Sequence, residues 1–254
     1  MCKISVIVPA LNEENNLLKA VENIIEAFNK LKVIGEIIII NDGSQDSTES
    51  IIKSLMNQYP FIKLISHKTS KGIGASFWVG VDESDGEFVT LLPGDAENDA
   101  FEIIRYLPLM DHVDVIIPFC YNKEARSPGR RMISKLYKGI INISFGMLLN
   151  YMNGTVMYRR SVLKSLTLRN GGFFYQTELL IKAIRKGYLY AEVDYAISQR
   201  SQGSSKALTL TSLKRVLIGY IATIFNIYLL DKINKNKKDL VIESVTALRL
   251  KQLD

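Results

Sequence analysis

The chain has 254 residues, of which 47% are hydrophobic, and a formal net charge of +6. This length suffices for one large α/β domain or for one domain with a small appendage, and the apolar content allows a sizeable core. Its two cysteines have neither metal-site nor disulfide-framework spacing, which excludes a cysteine-held zinc site and a disulfide scaffold.

The charge is divided unevenly along the chain. Acidic residues outnumber basic ones up to residue 117, and basic residues dominate from residue 118 onward. Either this asymmetry serves solubility alone, or the first part holds a cation while the second binds phosphates or an anionic membrane surface. No DNA-reading helix pattern or aromatic-rich RNA motif is present, so nucleic acid is not expected as a partner. The start runs directly into a strand-like segment without a signal peptide, and we expect a cytoplasmic protein.

Residues 1–117 alternate between apolar strand-like runs and helical segments. Strands are predicted at 3–8, 36–40, 61–65, 87–92 and 113–117, and helices at 13–31, 46–56, 72–83 and 99–107. Because these strands are continuous apolar runs, we predict an α/β fold with a mainly parallel central sheet and helices on both faces. Ligands of such sheets bind beyond the carboxyl ends of the strands, in this chain near loops 9–14, 41–47, 66–74 and 93–99.

The pattern is less regular after residue 118. We expect a basic loop at 119–131, helices at 132–149 and 175–186, strands at 154–158 and 188–193, and a basic Ser/Gly-rich stretch at 199–206. Residues 216–230 form an uncharged run of 15 residues with basic residues on both sides. Since about 20 residues are needed to span a bilayer, we expect an interfacial helix or an oligomer contact. A transmembrane span and a core helix are the alternatives.

The loop that follows the fourth strand carries three carboxylates, those of Asp95, Glu97 and Asp99. Alternate residues of an extended loop point the same way, and crowded carboxylates repel unless they share a cation. Mg²⁺ or Mn²⁺ prefers such oxygen ligands, with phosphate completing the shell. The alternative is a solvated loop that caps the next helix.

Two further polar loops follow predicted strands. Asp42 comes directly after the second strand, where a carboxylate accepts from a nucleobase or a ribose hydroxyl, or else belongs to a helix-capping turn. We expect Asp46 to cap the helix instead. Glu13 and Glu14 follow the first strand, where they also suit a helix N-terminus.

The second part of the chain supplies basic candidates for binding phosphate. Arginine pairs with phosphate oxygens through two parallel hydrogen bonds, and lysine adds a point charge. The alternative for each candidate is a solvent-exposed basic side chain that binds no ligand. The candidates are Arg126, Arg130, Arg131, Arg200 and Lys206.

Taken together, four ordered segments resemble the motifs of family 2 glycosyltransferases. They are Ser5–Glu14, Ile40–Thr48, Lys71–Ala75 and Asp95–Glu97. Phe174–Glu178, Lys182–Tyr188 and Arg200–Lys206 make the chain most similar to dolichyl-phosphate and polyprenyl-phosphate sugar transferases within that family. The resemblance extends over residues 3–206. It implies a Rossmann-like GT-A domain at 1–206, with a nucleotide-binding part at 1–117 and an acceptor part at 118–206. A helical extension at 207–254 would follow, either membrane-interfacial or oligomerising.

The resemblance also implies roles for individual residues. The nucleotide-binding set is Pro9, Ala10, Asn12, Glu13, Asp42, Lys71, Gly72 and Asp95. A Mg²⁺ or Mn²⁺ ion would be held by Asp95, Glu97 and Asp99. The donor diphosphate and the acceptor phosphate would be bound by Arg126, Arg130, Arg131, Arg200, Ser205 and Lys206. The catalytic set would be Asp95, Glu97, Arg126, Arg131 and Glu178, with Glu178 near the acceptor.

Three motifs depart from the usual pattern. Glu97 replaces the second Asp of an Asp-x-Asp motif, and Asn41 replaces the first Asp of Asp-Asp-Gly-Ser. Asn150 and Asn153 stand in the segment where the subgroup has an Asp.

The implied activity is metal-dependent, inverting transfer of a sugar from a UDP- or GDP-sugar to a polyprenyl phosphate. A saccharide hydroxyl is the alternative acceptor, and it would require Glu178 as a base. A nucleotidyltransferase would carry a Gly-rich basic loop after the first strand, which residues 9–14 lack. A non-catalytic protein that binds nucleotide sugars is the remaining alternative. Peripheral membrane association and homo-oligomerisation through the C-terminal helices are expected.

Overall fold

The computed structural model describes residues 2–121, 128–152, 154–166, 171–172, 174–195, 210–230 and 240–253. Seven strands form one sheet in the order β3-β2-β1-β4-β6-β5-β7. They are β1 (Ile4–Ala10), β2 (Gly35–Asn41), β3 (Ile62–Ser66), β4 (Phe88–Leu91), β5 (Val115–Cys120), β6 (Met157–Arg159) and β7 (Tyr190–Tyr195). Only β6 runs antiparallel to its neighbours in this sheet, which confirms the predicted mainly parallel α/β fold.

Nine α-helices are described. They are α1 (Leu17–Leu31), α2 (Thr48–Gln58), α3 (Ile73–Asp82), α4 (Ala100–Ile104), α5 (Pro128–Phe145), α6 (Arg160–Ser165), α7 (Tyr175–Lys186), α8 (Leu210–Phe225) and α9 (Val245–Leu250). A π-helical turn, Asn226–Leu230, continues α8. Within the described residues, no helix combines the length and the hydropathy needed to cross a bilayer.

Both faces of the sheet are covered by helices, and each face has its own core. In β2, Ile38 and Ile40 belong to the core that also contains residues of α3, α5 and α7, while Ile37 and Ile39 belong to the core with α1 and α2. Because side chains alternate along a strand, burial on both faces requires a continuous apolar run. This is the physical reason why the run Ile37–Ile40 predicted the strand.

Some predicted boundaries differ from the structure. The helix predicted at 99–107 ends at Ile104, and a 3-10 helix, Leu107–Asp111, follows with Pro108 in its first turn. Proline lacks an N–H donor and cannot continue an α-helix. The predicted loop 119–131 is shorter at both ends, because β5 extends to Cys120 and α5 begins at Pro128.

The last helix packs against the sheet domain. Asp114 is fully buried, and its carboxylate accepts hydrogen bonds from the backbone nitrogens of Val245 and Thr246 at 2.8 and 3.0 Å. Arg159 Nε donates to the same carboxylate at 3.1 Å. An acidic group at a helix N-terminus satisfies N–H groups that the helix itself leaves unpaired. Asp114 thereby attaches the C-terminal part of the predicted extension 207–254 to the main core.

Candidate functional site

The ends of β1, β2 and β4 lie together at the carboxyl edge of the sheet. The backbone nitrogen of Asp42 donates to the carbonyl oxygen of Ala10 at 2.9 Å, and that of Gly94 donates to the carbonyl oxygen of Pro9 at 3.1 Å. The loop of Asp42 and the turn of Asp95 are therefore attached to adjacent residues of one strand. This confirms the expectation that both carboxylates lie at the same edge of the sheet.

The Asp42 carboxylate organises the loop that follows β3. Its Oδ1 accepts from His67 Nδ1 at 2.7 Å and from the Lys71 nitrogen at 2.8 Å. Its Oδ2 accepts from Ser70 Oγ at 2.7 Å and from the Gly72 nitrogen at 2.9 Å. Burial raises the pKa of Asp42, but these hydrogen bonds outweigh burial and hold the pKa below its ordinary value. Asp42 is therefore an anion at neutral pH, and each of its oxygens already has two donors.

His67 was not singled out from the sequence. It is one of only two histidines in the chain and stands just past β3. Its ring is buried, and its Nε2 atom has no hydrogen-bond partner among the described residues. A polar residue directly after a predicted strand was the available signal, but nothing in the sequence indicated that His67 pairs with Asp42.

The loops that follow β1 and β2 are fastened to each other. Asn12 has a positive φ of 57°, and its Oδ1 accepts from the Gln45 nitrogen at 2.8 Å. Its own nitrogen donates to Ser44 Oγ at 3.0 Å. The Glu13 side chain accepts from Asn16 Nδ2 at 2.9 Å. Two of the predicted nucleotide-binding residues thus have structural contacts. Asn12 connects the two loops, and Glu13 is hydrogen-bonded to Asn16, the residue that precedes α1.

Asp95 and Glu97 share a tight turn. Ala96 between them has a positive φ of 56°, and Asp95 Oδ1 accepts from the Glu97 nitrogen at 3.2 Å. Both side chains are partly exposed. Two carboxylates on one turn supply the hard oxygen ligands that Mg²⁺ or Mn²⁺ prefers, and an ion bound there would have to complete its shell with phosphate or water. Asp95 and Glu97 thus fit a divalent ion of the kind predicted.

Asp99, the residue expected as the third metal ligand, has a different role in the structure. Asp99 caps α4, accepting from the Phe101 nitrogen at 2.9 Å and from Asn23 Nδ2 at 3.4 Å. Among the described residues, no three His, Cys, Asp or Glu side chains are grouped closely enough to hold a metal ion. The expectation that Asp99 joins Asp95 and Glu97 in a three-carboxylate site is therefore wrong. The helix-capping alternative applies to Asp99.

The acceptor part is described incompletely. Arg126, Arg200, Ser205 and Lys206 lie outside the described residues, and so does Asn153; Arg130 lies in α5, but its side chain is not described. Arg131 is half-buried in α5. Glu178 lies near the start of α7, is 6% exposed, and forms an ion pair with Lys182. The roles expected of these residues stay predictions.

A cavity of about 450 Å³ lies beside the loop that Asp42 organises. Its lining is basic and rich in glycine, and it consists of Ser70, Lys71, Gly72, Gly171, Gly172 and Arg215. Gly74 allows the start of α3 to approach the backbone of Gly171 closely. A Cβ atom at position 74 would lie 2.6 Å from the carbonyl carbon of Gly171. Lys71 and Arg215 give the cavity a positive charge, and none of these six lining residues is acidic.

Asn41 and Asn150, which depart from the pattern of the subgroup, each have a hydrogen-bond partner nearby. Asn41 is 2% exposed, and its Nδ2 donates to Glu49 at 2.9 Å while its Oδ1 accepts from the Ser44 nitrogen at 3.0 Å. Asn150 Nδ2 donates to Glu192 at 2.9 Å. An aspartate at either position would face another carboxylate. The amide side chains therefore match their acidic neighbours in this chain.

Comparison with known proteins identifies relatives of the chain. The family model described as glycosyl transferase family 2 matches residues 5–167. A dolichyl-phosphate beta-glucosyltransferase of Trichomonas vaginalis is 31% identical over 147 residues, which are 52% of this chain and 45% of that protein. A dolichol-phosphate mannosyltransferase of Pyrococcus furiosus is 26% identical over 212 residues, which are 80% of this chain and 59% of that protein. The chain spans about half the length of these curated relatives.

Solved structures show the same fold. Glucosyl-3-phosphoglycerate synthase from Mycobacterium tuberculosis, crystallised with Mn²⁺, uridine diphosphate and phosphoglyceric acid, superimposes with a TM-score of 0.65. The match covers 88% of this chain and 78% of that one, at 18% sequence identity. This likeness concerns the fold alone, and it confirms the expected GT-A architecture.

Proposed function

The chain belongs to glycosyl transferase family 2, and from that membership we propose that it transfers a sugar from a UDP- or GDP-sugar to a polyprenyl phosphate with the help of a divalent metal ion. The observation that carries this proposal is the attachment of the Asp42 loop and the Asp95 turn to adjacent carbonyl groups of β1. A nucleotide bound at this edge would have its nucleoside beside the Asp42 loop and its diphosphate beside the Asp95 turn.

The nucleoside would bind against the loops that follow β1, β2 and β3. Asp42 holds Lys71 and Gly72 in position through their backbone nitrogens, so a nucleoside meets a preformed surface. Pro9, Ala10, Asn12 and Glu13 would form the neighbouring side of the crevice. Lys71 is exposed, and its ammonium group suits the diphosphate.

Asp95 and Glu97 would hold Mg²⁺ or Mn²⁺ against the donor diphosphate, where the ion neutralises negative charge on the leaving group. A solved structure of the same fold contains Mn²⁺ together with uridine diphosphate. Within this chain, the positive φ of Ala96 brings the two carboxylates into one turn. The half-buried position of that turn reduces competition from water.

A phosphate oxygen of the acceptor would attack the anomeric carbon as the bond from that carbon to the diphosphate oxygen breaks. The attacking oxygen is already an anion, so no side chain has to remove a proton, and one in-line displacement inverts the configuration. The pairing of Glu178 with Lys182 supports this acceptor over a hydroxyl, because the carboxylate is occupied by an ammonium group. The names of the two dolichyl-phosphate relatives support it as well.

Positive charge would screen the repulsion between the acceptor phosphate and the donor diphosphate. We assign this task to Arg126, Arg130, Arg131, Arg200 and Lys206, and we assign to Ser205 a hydrogen bond from its hydroxyl group to a phosphate oxygen. The acceptor is a lipid, and we therefore place the reaction at the cytoplasmic face of a membrane. In the structure α5, the helix that contains Arg131, contacts α7 through a hydrogen bond of 2.8 Å between Tyr137 OH and Thr177 Oγ1.

The test is a transfer assay with UDP-glucose and GDP-mannose as donors, a polyprenyl phosphate as acceptor, and Mn²⁺. We expect a glycolipid product from at least one donor with the unaltered chain and with Asp111→Asn, an exposed position remote from the site. Asp95→Asn should abolish the product. Transfer to saccharide hydroxyls but not to the lipid phosphate would contradict the proposed acceptor. Binding of a donor without any transfer would indicate a non-catalytic protein.

A further inference from the structure

A second cavity, of about 470 Å³, lies at the edge of the sheet opposite the candidate site. Its lining is entirely polar or charged and consists of Glu87, Arg159, Arg160, Ser161, Lys164 and Glu243. Glu87 directly precedes β4, and Arg159 ends the antiparallel strand β6 opposite Phe88. Asp95, by contrast, follows the other end of β4. The body of the sheet therefore separates this cavity from the Asp95 turn.

The walls of the cavity are fixed by Arg159. This residue is 8% exposed, and its guanidinium group donates to the carboxylates of Asp114 and Glu87 at 3.1 and 2.8 Å. The backbone nitrogen of Arg160 donates to the carbonyl oxygen of Glu87 at 2.9 Å. Asp114 also binds the start of α9, which brings the segment of Glu243 to the same network. The cavity is therefore preformed, and a ligand would lose little free energy in ordering its walls.

Several polar groups of the lining are not used by the fold. Ser161 and Lys164 lie on α6, and Glu243 directly precedes the N-cap of α9. Within the described part of the chain, the side chains of these three residues form no hydrogen bond or ion pair. Arg160 donates through Nη1 to the carbonyl oxygen of Ser84, and its guanidinium group has further N–H donors. Donors and an acceptor are thus free to bind a ligand.

The basic side of the cavity suits a phosphate group. Arg160, Ser161 and Lys164 present a guanidinium, a hydroxyl and an ammonium group at one cavity. A phosphate monoester has three acceptor oxygens, whereas a carboxylate has two, so three different donors match the phosphate better. Hydrogen bonds from guanidinium and ammonium groups to phosphate are strengthened by charge.

The acidic side of the cavity suits hydroxyl groups. Burial raises the pKa of Glu87, but its ion pairs with Lys3 and Arg159 outweigh burial and hold the pKa below its ordinary value. Glu87 is therefore a carboxylate at neutral pH. A carboxylate has about four lone-pair sites, so Glu87 and Glu243 can both accept from the hydroxyl groups of a ligand. Inorganic phosphate alone would gain nothing from them and would be repelled.

We propose that this cavity binds a sugar phosphate, with its phosphate group at Arg160, Ser161 and Lys164 and its hydroxyl groups at Glu87 and Glu243. Cationic side chains outnumber carboxylates in the lining, which favours a ligand of net negative charge over a zwitterionic amino acid. The volume lies within the range of about 300–1,000 Å³ that is usual for small-molecule sites. The inference does not depend on the chemistry proposed above.

The test is isothermal titration of the full chain in a phosphate-free buffer, without nucleotide or metal. We expect glucose 6-phosphate or glucose 1-phosphate to bind, inorganic phosphate to bind about tenfold or more weakly, and glucose to show no binding at the same concentrations. Lys164→Gln should weaken the better sugar phosphate about tenfold, because a charge-assisted hydrogen bond is lost. The matched control Lys19→Gln, at an exposed position of α1, should bind like the unaltered chain. Circular dichroism checks that each variant is folded.

The acidic side is tested by the preference between ligands. Glu243→Gln removes a negative charge that repels every phosphate, but it also replaces a strong acceptor of sugar hydroxyl groups by a weaker one. We therefore expect the ratio of the affinity for the sugar phosphate to that for inorganic phosphate to fall about fivefold or more. Glu22→Gln, at another exposed position of α1, should leave this ratio unchanged.

The place of binding is tested with Lys71→Gln at the candidate site, which should leave binding of the sugar phosphate unchanged. Three results would overturn the proposal. They are no binding of either sugar phosphate to the folded chain, equal affinity for sugar phosphate and inorganic phosphate, and a loss of binding in Lys71→Gln or Lys19→Gln that equals the loss in Lys164→Gln. Failure of sugar transfer with intact binding at this cavity would affect only the proposed function.

Discussion

Asp42 and Gly94 donate their backbone N–H groups to adjacent carbonyl oxygens of β1, those of Ala10 and Pro9, at 2.9 and 3.1 Å. The two loops that carry the candidate chemistry are thus fixed to one strand that is buried on both sides. A nucleotide that bridges them would find both loops already in place. Little conformational entropy would then be lost on binding.

Removal of the Asp42 carboxylate should destabilise the fold as well as the site. Asp42→Ala leaves the donors of His67, Ser70, Lys71 and Gly72 without their acceptor, and we expect a loss of about 2–4 kcal/mol in the free energy of unfolding. Denaturation in urea measures this free energy for the variant and for the unaltered chain. Asp111→Ala, at an exposed position, is the control and should change stability by less than about 0.5 kcal/mol. Equal stability of the two variants would contradict the bonding described for Asp42.

The same carboxylate predicts a pH dependence. Because the pKa of Asp42 is lower in the folded state, the unfolded chain takes up the proton first as the pH falls. The stabilisation is complete at neutral pH, begins to decrease near the ordinary pKa of about 4, and is lost as the pH falls through the lower pKa of the folded state. The difference in stability between the unaltered chain and Asp42→Asn should therefore be constant from pH 7 to about pH 5 and shrink at lower pH. A difference that grows on acidification would have the wrong sign.

Introducing at position 41 the aspartate expected for the subgroup should destabilise the fold. In Asn41→Asp a carboxylate replaces the amide that donates to Glu49, so two negative groups meet at a buried position. We expect the midpoint of thermal unfolding to fall by about 3 °C or more. Adding Glu49→Gln should recover much of this loss, because it supplies a new donor. Additive effects of the two substitutions would show that the pair does not interact.

Asp95 and Asp99 should respond differently to substitution. Asp95→Asn or Glu97→Gln removes a proposed metal ligand, and we expect sugar transfer to fall by about 100-fold or more with stability nearly unchanged. Asp99→Ala removes a helix cap and should cost about 1 kcal/mol of stability. The Mn²⁺ concentration required for half-maximal activity should rise for Glu97→Gln and stay unchanged for Asp99→Ala. An equal rise for Asp99→Ala would restore the three-carboxylate site.

The approach of Gly74 to Gly171 gives a test of the cavity beside Lys71. Gly74→Ala places a methyl group 2.6 Å from a backbone carbon, and we expect a loss of about 1–3 kcal/mol together with weaker nucleotide binding. At Gly139 in α5, by contrast, an added Cβ atom would meet nothing within 4 Å among the described residues. Gly139→Ala should therefore stabilise the chain by about 0.5–1 kcal/mol, because alanine favours a helix. Similar effects at both positions would contradict the close contact.

The sequence predicted the strands of the sheet and the residues at their carboxyl ends. Continuous apolar runs located β1, β2 and β4, and parallel strands necessarily bring Asp42 and Asp95 to one edge. The partners of Asp42 were not predictable, because His67 and Ser70 reach it only through the path of a later loop. The role of Asp99 was ambiguous, since an N-cap and a metal ligand both require a carboxylate beside a helix start.

The central claim is that one nucleotide bridges the loop ordered by Asp42 and the turn of Asp95 and Glu97. Isothermal titration of the chain with UDP and GDP, each with Mn²⁺ and then with excess chelator, tests it most directly. We predict that one of the two binds with Mn²⁺ and loses about tenfold or more in affinity with chelator, while uridine or guanosine binds equally in both conditions. Failure of both nucleotides to bind, or affinity unaffected by chelator, would contradict the account.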